Sequence, residues 1–336
     1  MTLALAYTRY KYSLKKPIRV FDQLLYEREG LYLHIITADG NEGVSDTAPL
    51  PGLSNETLAD VISILDLNPT LPYSISSLDD LFSTSPTPSH FPNVLQFAID
   101  MALLVCFSNS KTLSLRDFLG IQSTSLRCNG LVQGTIDNMK QAVNQLVKQG
   151  YDTIKLKVGR RSLQEDIDFF NDMNSSYPHI QWRLDANQTW SLNEAISFTK
   201  QVHTDKIEYM EDPCASDEDY EQFYVHTGLP YAMDIHAPIP ISSKPGLKAI
   251  IIKPTQFGRL SLLHGFIQTC KSEGLDIIFS SSYESPLGLQ HIAHLAAYFS
   301  PDKCHGLSTS DIFAGEEISP PIMPLVSEHE MISHYD

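Results

Sequence analysis

The sequence lacks the features that mark several classes of protein. Its 336 residues include five widely separated cysteines and no Cys-x-x-Cys pair. An odd, scattered set of this kind favours reduced thiols over a disulfide framework or a zinc site. No apolar run approaches the roughly 20 residues of a membrane span, and the N-terminus has no basic start followed by a signal-like apolar stretch. We therefore expect a cytoplasmic protein.

Positive charge is also scarce. The 24 lysines and arginines are outnumbered by 40 acidic residues, which gives a formal net charge of −16. Nucleic acids and anionic membranes both favour clustered basic residues, so we expect neither as a partner. A small-molecule substrate is the expected partner, and the oligomeric state stays open.

The order of the predicted elements divides the chain into parts. Residues 1–115 are typical of an α+β domain, with a strand from Leu31, a helix from Ser54 to about Leu65 and an apolar helix from Asn93 to Ser108. Residues 314–336 are irregular, and we expect this tail to pack back on the N-terminal domain.

Between residues 116 and 313, apolar strand-like runs alternate with helical segments. The predicted strands are Leu126–Leu131, Thr153–Val158, Ile180–Asp185, Lys206–Glu211, Tyr231–Asp234, Ala249–Lys253, Asp276–Ser280 and His305–Ser308. A Gly-x-Gly-x-x-Gly motif, which an open dinucleotide-binding sheet would carry, is missing after the first strand. The sequence therefore predicts an α/β fold, a (β/α)8-type modified TIM barrel with an N-terminal α+β capping domain.

Charged residues end five of these strands. Successive charges from Lys157 onward lie 28, 26, 23 and 19 residues apart, enough for a loop, a helix and a new strand in each case. In a (β/α) barrel, the residues at the C-terminal ends of the strands form the active site. The charged strand-end residues are Lys155, Lys157, Asp185, Glu211, Asp234 and Lys253.

The faces of the strands support this interpretation. Side chains alternate along a strand, so Lys155 and Lys157 share one face, and Arg183, Asp185 and Asn187 share another. Because helices cover the outside of a barrel, the lysines are expected to point inward, where they need a carboxylate or substrate partner. The alternative is that each lysine faces solvent and that each acidic residue is a helix cap or strand-end ion pair.

Asp185, Glu211 and Asp234 together offer three hard oxygen ligands. Such ligands suit Mg²⁺, with Mn²⁺ as the alternative ion, and leave positions for water and a substrate carboxylate. We therefore expect a divalent metal between lysines.

The same residues carry a resemblance to the muconate-lactonizing subgroup of the enolase superfamily. The shared motifs are Lys-x-Lys at 155–157, Asp-x-Asn at 185–187, Glu-x-Pro at 211–213 and Lys253. Within that superfamily the chain is most similar to the o-succinylbenzoate synthase family, through Pro-Leu-Pro-Gly at 49–52 and Ser-Ser-Ser-Tyr-Glu-Ser at 280–285. The similarity covers roughly residues 30–313.

The resemblance implies a hydro-lyase of menaquinone biosynthesis that removes water from 2-succinyl-6-hydroxy-2,4-cyclohexadiene-1-carboxylate. It makes Lys157 the base, Lys253 the charge on the opposite face and Lys155 a charge that tunes Lys157, while the metal holds the ring carboxylate and stabilises the ene-diolate. The expected substrate-binding residues are Arg183, Asn187, Ser281, Ser282, Leu50, Leu53 and Gly306.

Two other functions stay open. An N-acylamino acid racemase or dipeptide epimerase of the same superfamily shares every barrel motif, although Ser308-Thr-Ser-Asp does not clearly supply the Asp-x-Asp that epimerases carry after the eighth strand. A catalytically silent binding protein is the remote alternative. The sequence departs from the family at Ile235, where a Glu usually follows the third metal ligand, and the loss of such an outer residue typically costs about 10- to 100-fold in metal affinity or activity.

Overall fold

The computed structural model describes residues 2–20, 22–73, 77–309, 312–314 and 322–325. The N-terminal domain contains a four-stranded antiparallel sheet in the order β3-β2-β1-β4. Its strands are β1 Thr2–Val20, β2 Gln23–Ile36, β3 Glu42–Thr47 and β4 Thr70–Pro72. The helices are α1 Leu58–Leu67, α2 Leu78–Ser83, α3 Asn93–Ser110 and α4 Leu115–Phe118.

Of the long β1–β2 ribbon, sequence reasoning identified only the part of β2 that begins at Leu31. The two strands pair from Ala4↔Ile36 to Val20↔Gln23, with a register shift between Ser13 and Ile18. Much of β1 is exposed and carries charged residues, so it lacks the buried apolar run that identifies a core strand. The ribbon ends beside the barrel, at residues that line its cleft.

The second domain confirms the predicted modified TIM barrel. Seven parallel strands are ordered consecutively from β6 to β12. The strands of this domain are β5 Ser125–Arg127, β6 Gly130–Val132, β7 Thr153–Lys157, β8 Gln181–Asp185, β9 Ile207–Glu211, β10 Tyr231–Ile235, β11 Leu247–Ile252 and β12 Asp276–Phe279. Parallel bridges Cys128↔His305 and Ser280↔Gly306 close the barrel through the predicted eighth strand.

Helices follow most of the barrel strands. They are α5 Ile136–Lys148, α6 Leu163–Ser176, α7 Leu192–Lys200, α8 Tyr220–Thr227, α9 Pro254–Phe257, α10 Leu260–Ser272 and α11 Pro286–Phe299. Capping boxes start α6 at Ser162 with Glu165 and α7 at Ser191 with Glu194, which explains their sharp N-termini. The proline-rich segment between β10 and β11 has no helix, as the sequence predicts.

Helix α3 joins the capping domain to the barrel. It is long and apolar enough to pass a test for a membrane span, but 78% of its apolar window is buried inside the protein. Asp100, fully buried in α3, accepts a hydrogen bond from the backbone N–H of Leu260 at the start of α10. The helix therefore has the contacts of a core element between the two domains.

Only part of the predicted tail falls within the described residues. Ala314 donates its N–H to Ser13 O at 2.9 Å, and the rings of Phe313 and Tyr12 lie 5.4 Å apart, so residues 313 and 314 contact the ribbon. Strand β13, Ile322–Pro324, pairs with β5 of the barrel domain. Apart from Leu325, the rest of residues 314–336 lies outside the described residues, and so do Ser310 and Asp311 of the predicted Ser-Thr-Ser-Asp segment.

Candidate active site

Strand register brings the charged strand ends side by side. In the parallel pairing of β7 with β8, Lys157 is opposite Asp185, and in the pairing of β8 with β9, Asp185 is opposite Glu211. Asp234 lies one strand further along, in β10, and Lys253 follows β11. The six charges that the sequence singled out therefore lie along one arc at the C-terminal end of the barrel.

The lysines all contact the carboxylates. Lys155 Nζ lies 2.7 Å from Asp185 Oδ2 and 2.6 Å from Glu211 Oε2, so it bridges two strands. Lys157 Nζ lies 2.5 Å from Asp185 Oδ2, and Lys253 Nζ forms an ion pair with Asp234 Oδ2. The carboxylates of Asp185 and Glu211 are fully buried, so these lysines neutralise charges that solvent does not reach.

The pKa values of the two lysines of β7 are shifted in opposite directions. Burial lowers the pKa of Lys157, and the neighbouring Lys155 lowers it further, although Asp185 opposes both effects. For Lys155 burial also acts to lower the pKa, but Asp185 and Glu211 outweigh it and raise the pKa well above its ordinary value. Lys157 is therefore the lysine whose surroundings favour a neutral amine, as a general base requires.

The pKa values of two of the carboxylates are also shifted in opposite directions. Burial would raise the pKa of Asp185, but Lys155 and Lys157 more than offset it and hold the pKa below its usual range. Burial and the adjacent Asp185 raise the pKa of Glu211 to about 8 against the opposing charge of Lys155. An additional cation beside Glu211 would therefore stabilise its ionised carboxylate.

The donor set fits a divalent ion. Glu211 Oε2 and Asp234 Oδ1 are buried oxygens without a hydrogen-bond partner in this structure, and the nearby Lys155 does not meet Glu211 Oε2 with hydrogen-bond geometry. No cluster of three or more His, Cys, Asp or Glu within the described ranges already has metal-binding spacing. Asp185 and Asp234 instead form ion pairs with lysines, so the arc holds carboxylate oxygens of the type that Mg²⁺ prefers, with their charge balanced by the lysines.

Asp212 contacts the backbone next to Ile235, the position at which the sequence departs from the family pattern. Ile235 itself is buried, so the residue after Asp234 packs into the protein. The Oδ1 atom of Asp212 accepts hydrogen bonds from the Asp234 backbone N–H and the Tyr220 hydroxyl, both at 3.2 Å. Asp212 therefore links the ends of β9 and β10 and fixes the backbone that carries Asp234.

A cleft of about 670 Å³ opens over these charges. Both domains line it, since the capping domain contributes Leu50 and Leu53 from the loop after β3. The other predicted substrate-binding residues that line the cleft are Asn187, Ser281, Ser282 and Gly306, together with Lys155, Lys157, Lys253 and Asp234. Asn187 accepts a 2.8 Å hydrogen bond from Lys157 Nζ, which connects this wall to the charged arc.

Arg183 is placed differently from the other predicted residues. It is not among the residues that line the cleft, and it is almost fully buried. Its guanidinium donates to Glu208 Oε2 at 2.7 Å, Asn129 Oδ1 at 3.1 Å and Cys304 O at 2.7 Å. These contacts satisfy Arg183 inside the barrel and hold neighbouring strands together.

Several cleft residues were absent from the sequence prediction. Arg19 comes from the end of the ribbon, Arg160 from the loop after β7, His236 from the loop after β10 and Tyr283 from the loop after β12. His236 and Arg160 follow predicted strand ends closely, which is a signal that the sequence offered. Arg19 carried none, because only the folded ribbon brings it to the barrel.

The comparisons with known proteins agree with this geometry. Residues 138–323, more than half of the chain, match the family model described as enolase C-terminal domain-like. The chain belongs to the enolase superfamily. A relative from Pectobacterium atrosepticum named o-succinylbenzoate synthase is 30% identical over 93% of this chain and 92% of its own length. A relative of the same name from Escherichia fergusonii is 28% identical over 92% of each chain.

Solved structures of this superfamily share the whole fold. The L-Ala-D/L-Glu epimerase from Bacillus subtilis superposes with a TM-score of 0.83 at 19% identity, covering 96% of each chain. A dipeptide epimerase from Enterococcus faecalis, solved with Mg and the dipeptide L-Leu-L-Tyr, gives a TM-score of 0.82 at 20% identity and covers 97% of this chain and 98% of its own. At such identities the likeness establishes the fold alone.

Proposed function

We propose that this enzyme is an o-succinylbenzoate synthase, a hydro-lyase that dehydrates 2-succinyl-6-hydroxy-2,4-cyclohexadiene-1-carboxylate in menaquinone biosynthesis, in the cytoplasm. The observation that carries the proposal is the arc in which Lys157 and Lys253 flank the three strand-end carboxylates beneath a cleft. The curated relatives at 28% and 30% identity over nearly the whole chain support this substrate over others in the superfamily.

The reaction needs a base and a counter-charge. In our proposal Lys157, as a neutral amine, removes the proton on the carbon alpha to the ring carboxylate, and the electron pair moves toward that carboxylate. The protonated Lys253 faces the same ring from the opposite side and stabilises the negative charge. Lys157 then returns its proton to the leaving hydroxyl, the C–O bond breaks and water departs, which is a syn elimination.

Lys155 acts on this step through its charge. It stays protonated between Asp185 and Glu211, and its repulsion lowers the pKa of Lys157 in addition to the effect of burial. Asp185, Glu211 and Asp234 would hold Mg²⁺, or Mn²⁺ in its place. The ion would supply positive charge beside the substrate carboxylate.

The rest of the cleft suits the succinyl end of the substrate. Ser281 and Ser282 offer hydroxyl groups to a carboxylate, while Leu50 and Leu53 cover the ring from the capping domain and exclude water. Asn187 and Gly306 complete the predicted substrate-binding wall. A Cβ added at Gly306 would lie only 3.1 Å from Ser280 Oγ, so the absence of a side chain keeps this part of the cleft open. The buried contacts of Arg183 favour a supporting role over direct substrate contact.

A direct assay tests the proposal. Purified protein with Mg²⁺ and the cyclohexadiene substrate should form the aromatic product, which ultraviolet absorbance detects, and Lys157→Ala should not. A parallel assay with L-Ala-L-Glu and N-succinylamino acids in deuterated water tests the epimerase and racemase alternative. Deuterium exchange at the α-carbon of those compounds without any dehydration would overturn the proposal in favour of that alternative.

A further inference from the structure

Four of the cleft-lining residues have a positive φ, namely Asn187, Gln188, Asp212 and Tyr283, and Tyr283 is the one with an aromatic side chain. Tyr283, in the loop after β12, has φ = +60°, in the left-handed region that disfavours bulky side chains. Its side chain is half-buried and lines the cleft. Such strain persists where the surroundings impose it, often at functional sites.

Two side chains hold this backbone in place. Ser281 Oγ accepts the N–H of Tyr283 at 2.8 Å, and Arg28 Nε donates to the carbonyl of Tyr283 at 2.9 Å. Arg28 belongs to β2 of the capping domain and is only 2% exposed. It does not line the cleft, so its contacts with the site run through backbone atoms of the two loops.

The same arginine also holds the opposite wall. Its Nη1 donates to Pro49 O at 2.9 Å and its Nη2 to Ala48 O at 2.8 Å, immediately before Leu50 in the capping loop. One buried guanidinium therefore fastens the loop of Leu50 to the loop of Tyr283 across the domain boundary. Asp46 adds a second tie by accepting the Ser285 N–H at 3.0 Å.

The phenol lies in a positively charged part of the cleft. Burial raises the pKa of Tyr283, while Gln133 and the charges of Lys155 and Lys253 oppose that rise. The hydroxyl is therefore a neutral donor in a cleft that the ammonium groups of Lys155 and Lys253 also line. A neutral O–H in such a field suits a hydrogen bond to an anionic oxygen.

We propose that Tyr283 donates its phenol O–H to a carboxylate of the substrate and that Arg28 is the positioning residue that holds it there. The proposal rests on the proposed dehydration of a dicarboxylate and adds a specificity-determining residue to it. Arg28 acts on KM through the phenol, because it anchors the strained backbone of Tyr283 to the carbonyls of Ala48 and Pro49.

Steady-state kinetics of dehydration test the phenol. Tyr283→Phe removes only the hydroxyl, so KM should rise about tenfold or more, as for a lost hydrogen bond to a charged group, with kcat within about threefold. Tyr283→Asn should raise KM similarly, since asparagine tolerates a positive φ and keeps the loop conformation. The matched control is Tyr26→Phe, a tyrosine that is 65% exposed on the ribbon, and it should leave KM unchanged.

A double-mutant cycle tests Arg28. Arg28→Lys, which keeps the positive charge but not the forked donors, should raise KM in the wild-type background and change it less than about threefold in the Tyr283→Phe background. An equal rise in both backgrounds would overturn the positioning role. Thermal melting of each variant shows whether it is folded. Tyr283→Asn removes the phenol while the hydrogen bond from Arg28 to the backbone carbonyl of residue 283 can still form.

The outcomes separate this proposal from the proposed function. If wild-type protein dehydrates the substrate and Tyr283→Phe keeps the wild-type KM, the role of the phenol is refuted and the dehydration stands. If wild-type protein shows no dehydration, the proposed function fails, and the carboxylate contact inferred from it fails as well.

Discussion

Lys157 and Asp185 are direct partners in the parallel register of β7 and β8, and their side chains meet at 2.5 Å. The hydrogen bonds of the sheet therefore determine the separation of the proposed base from the proposed metal ligand. Because the backbone fixes both Cα atoms, the distance does not depend on a flexible loop. The same register places Glu211 opposite Asp185, so the base and two carboxylates form one rigid unit.

Chelation should abolish turnover without unfolding the protein. Lys155 and Lys157 already neutralise Asp185, so the fold does not need a metal ion to balance that buried charge. In excess EDTA we expect no dehydration and an unchanged circular dichroism spectrum. Asp185→Asn should behave as the chelated enzyme does, even with Mg²⁺ present. Full activity in EDTA would contradict the metal assignment.

The three lysines should contribute unequally. Lys157→Ala and Lys253→Ala should each remove nearly all dehydration, since general-base contributions are about 10²- to 10⁴-fold, whereas Lys155→Ala should leave a measurable remainder because it acts through charge. The Lys157/Lys253 double variant should be scarcely slower than either single variant, because the two act as a unit. Measured kcat/KM checks this order, with the exposed Lys200→Ala as a control. Wild-type turnover in Lys157→Ala would assign the base elsewhere.

The capping loop should control substrate binding more than metal binding. Leu53 lines the cleft and is half-buried, so Leu53→Asp places a negative charge beside a dianionic substrate. We expect KM to rise by at least about tenfold while the Mn²⁺ affinity, measured by electron paramagnetic resonance, stays unchanged. Leu53→Met, of similar volume, is the control. If Leu53→Asp keeps the wild-type KM, the loop covers the site without contacting substrate.

A buried histidine should make stability depend on pH. His305 Nδ1 accepts the Phe279 N–H at 3.0 Å, so Nε2 carries the proton and donates to Ser300 O at 3.0 Å. Burial lowers the pKa of His305 to about 3, with a smaller opposing effect of Ser300. Above pH 6.5 the unfolded and folded states are both neutral, and below it only the unfolded state gains a proton. The stabilisation is therefore complete above pH 6.5 and is lost as pH falls toward 3.

Urea denaturation at pH 7.5 and 5.0 measures this effect. Between pH 6.5 and 5.0 the wild type should lose about 2 kcal/mol of unfolding free energy through His305, at about 1.4 kcal/mol per pH unit. His305→Gln should lack that component, whereas the exposed His203→Gln should retain it. An equal pH dependence in wild type and His305→Gln would show that His305 is protonated in the folded state at pH 5.

The barrel and its charged strand ends were predictable from the sequence. Strand-length apolar runs ending at Lys157, Asp185 and Glu211 recur at intervals that fit one strand–helix unit, and each of these residues ends an observed strand. Local pattern suffices there because parallel strands place their C-terminal ends on one face by topology alone. The absence of a helix between β10 and β11 was also predictable, because that segment is rich in proline.

The tertiary structure decided what depends on contacts between distant segments. Arg183 shares a face with Asp185 by sequence, yet its partners Asn129 and Cys304 turn it away from the cleft. Arg19 reaches the site because β1 and β2 form a ribbon whose polar sequence lacks a core-strand pattern. Arg28 holds Tyr283 across 255 residues of chain. The sequence determined the barrel through local periodicity, while the places of Arg19 and Arg28 beside the cleft depend on the docking of two domains, which no local pattern encodes.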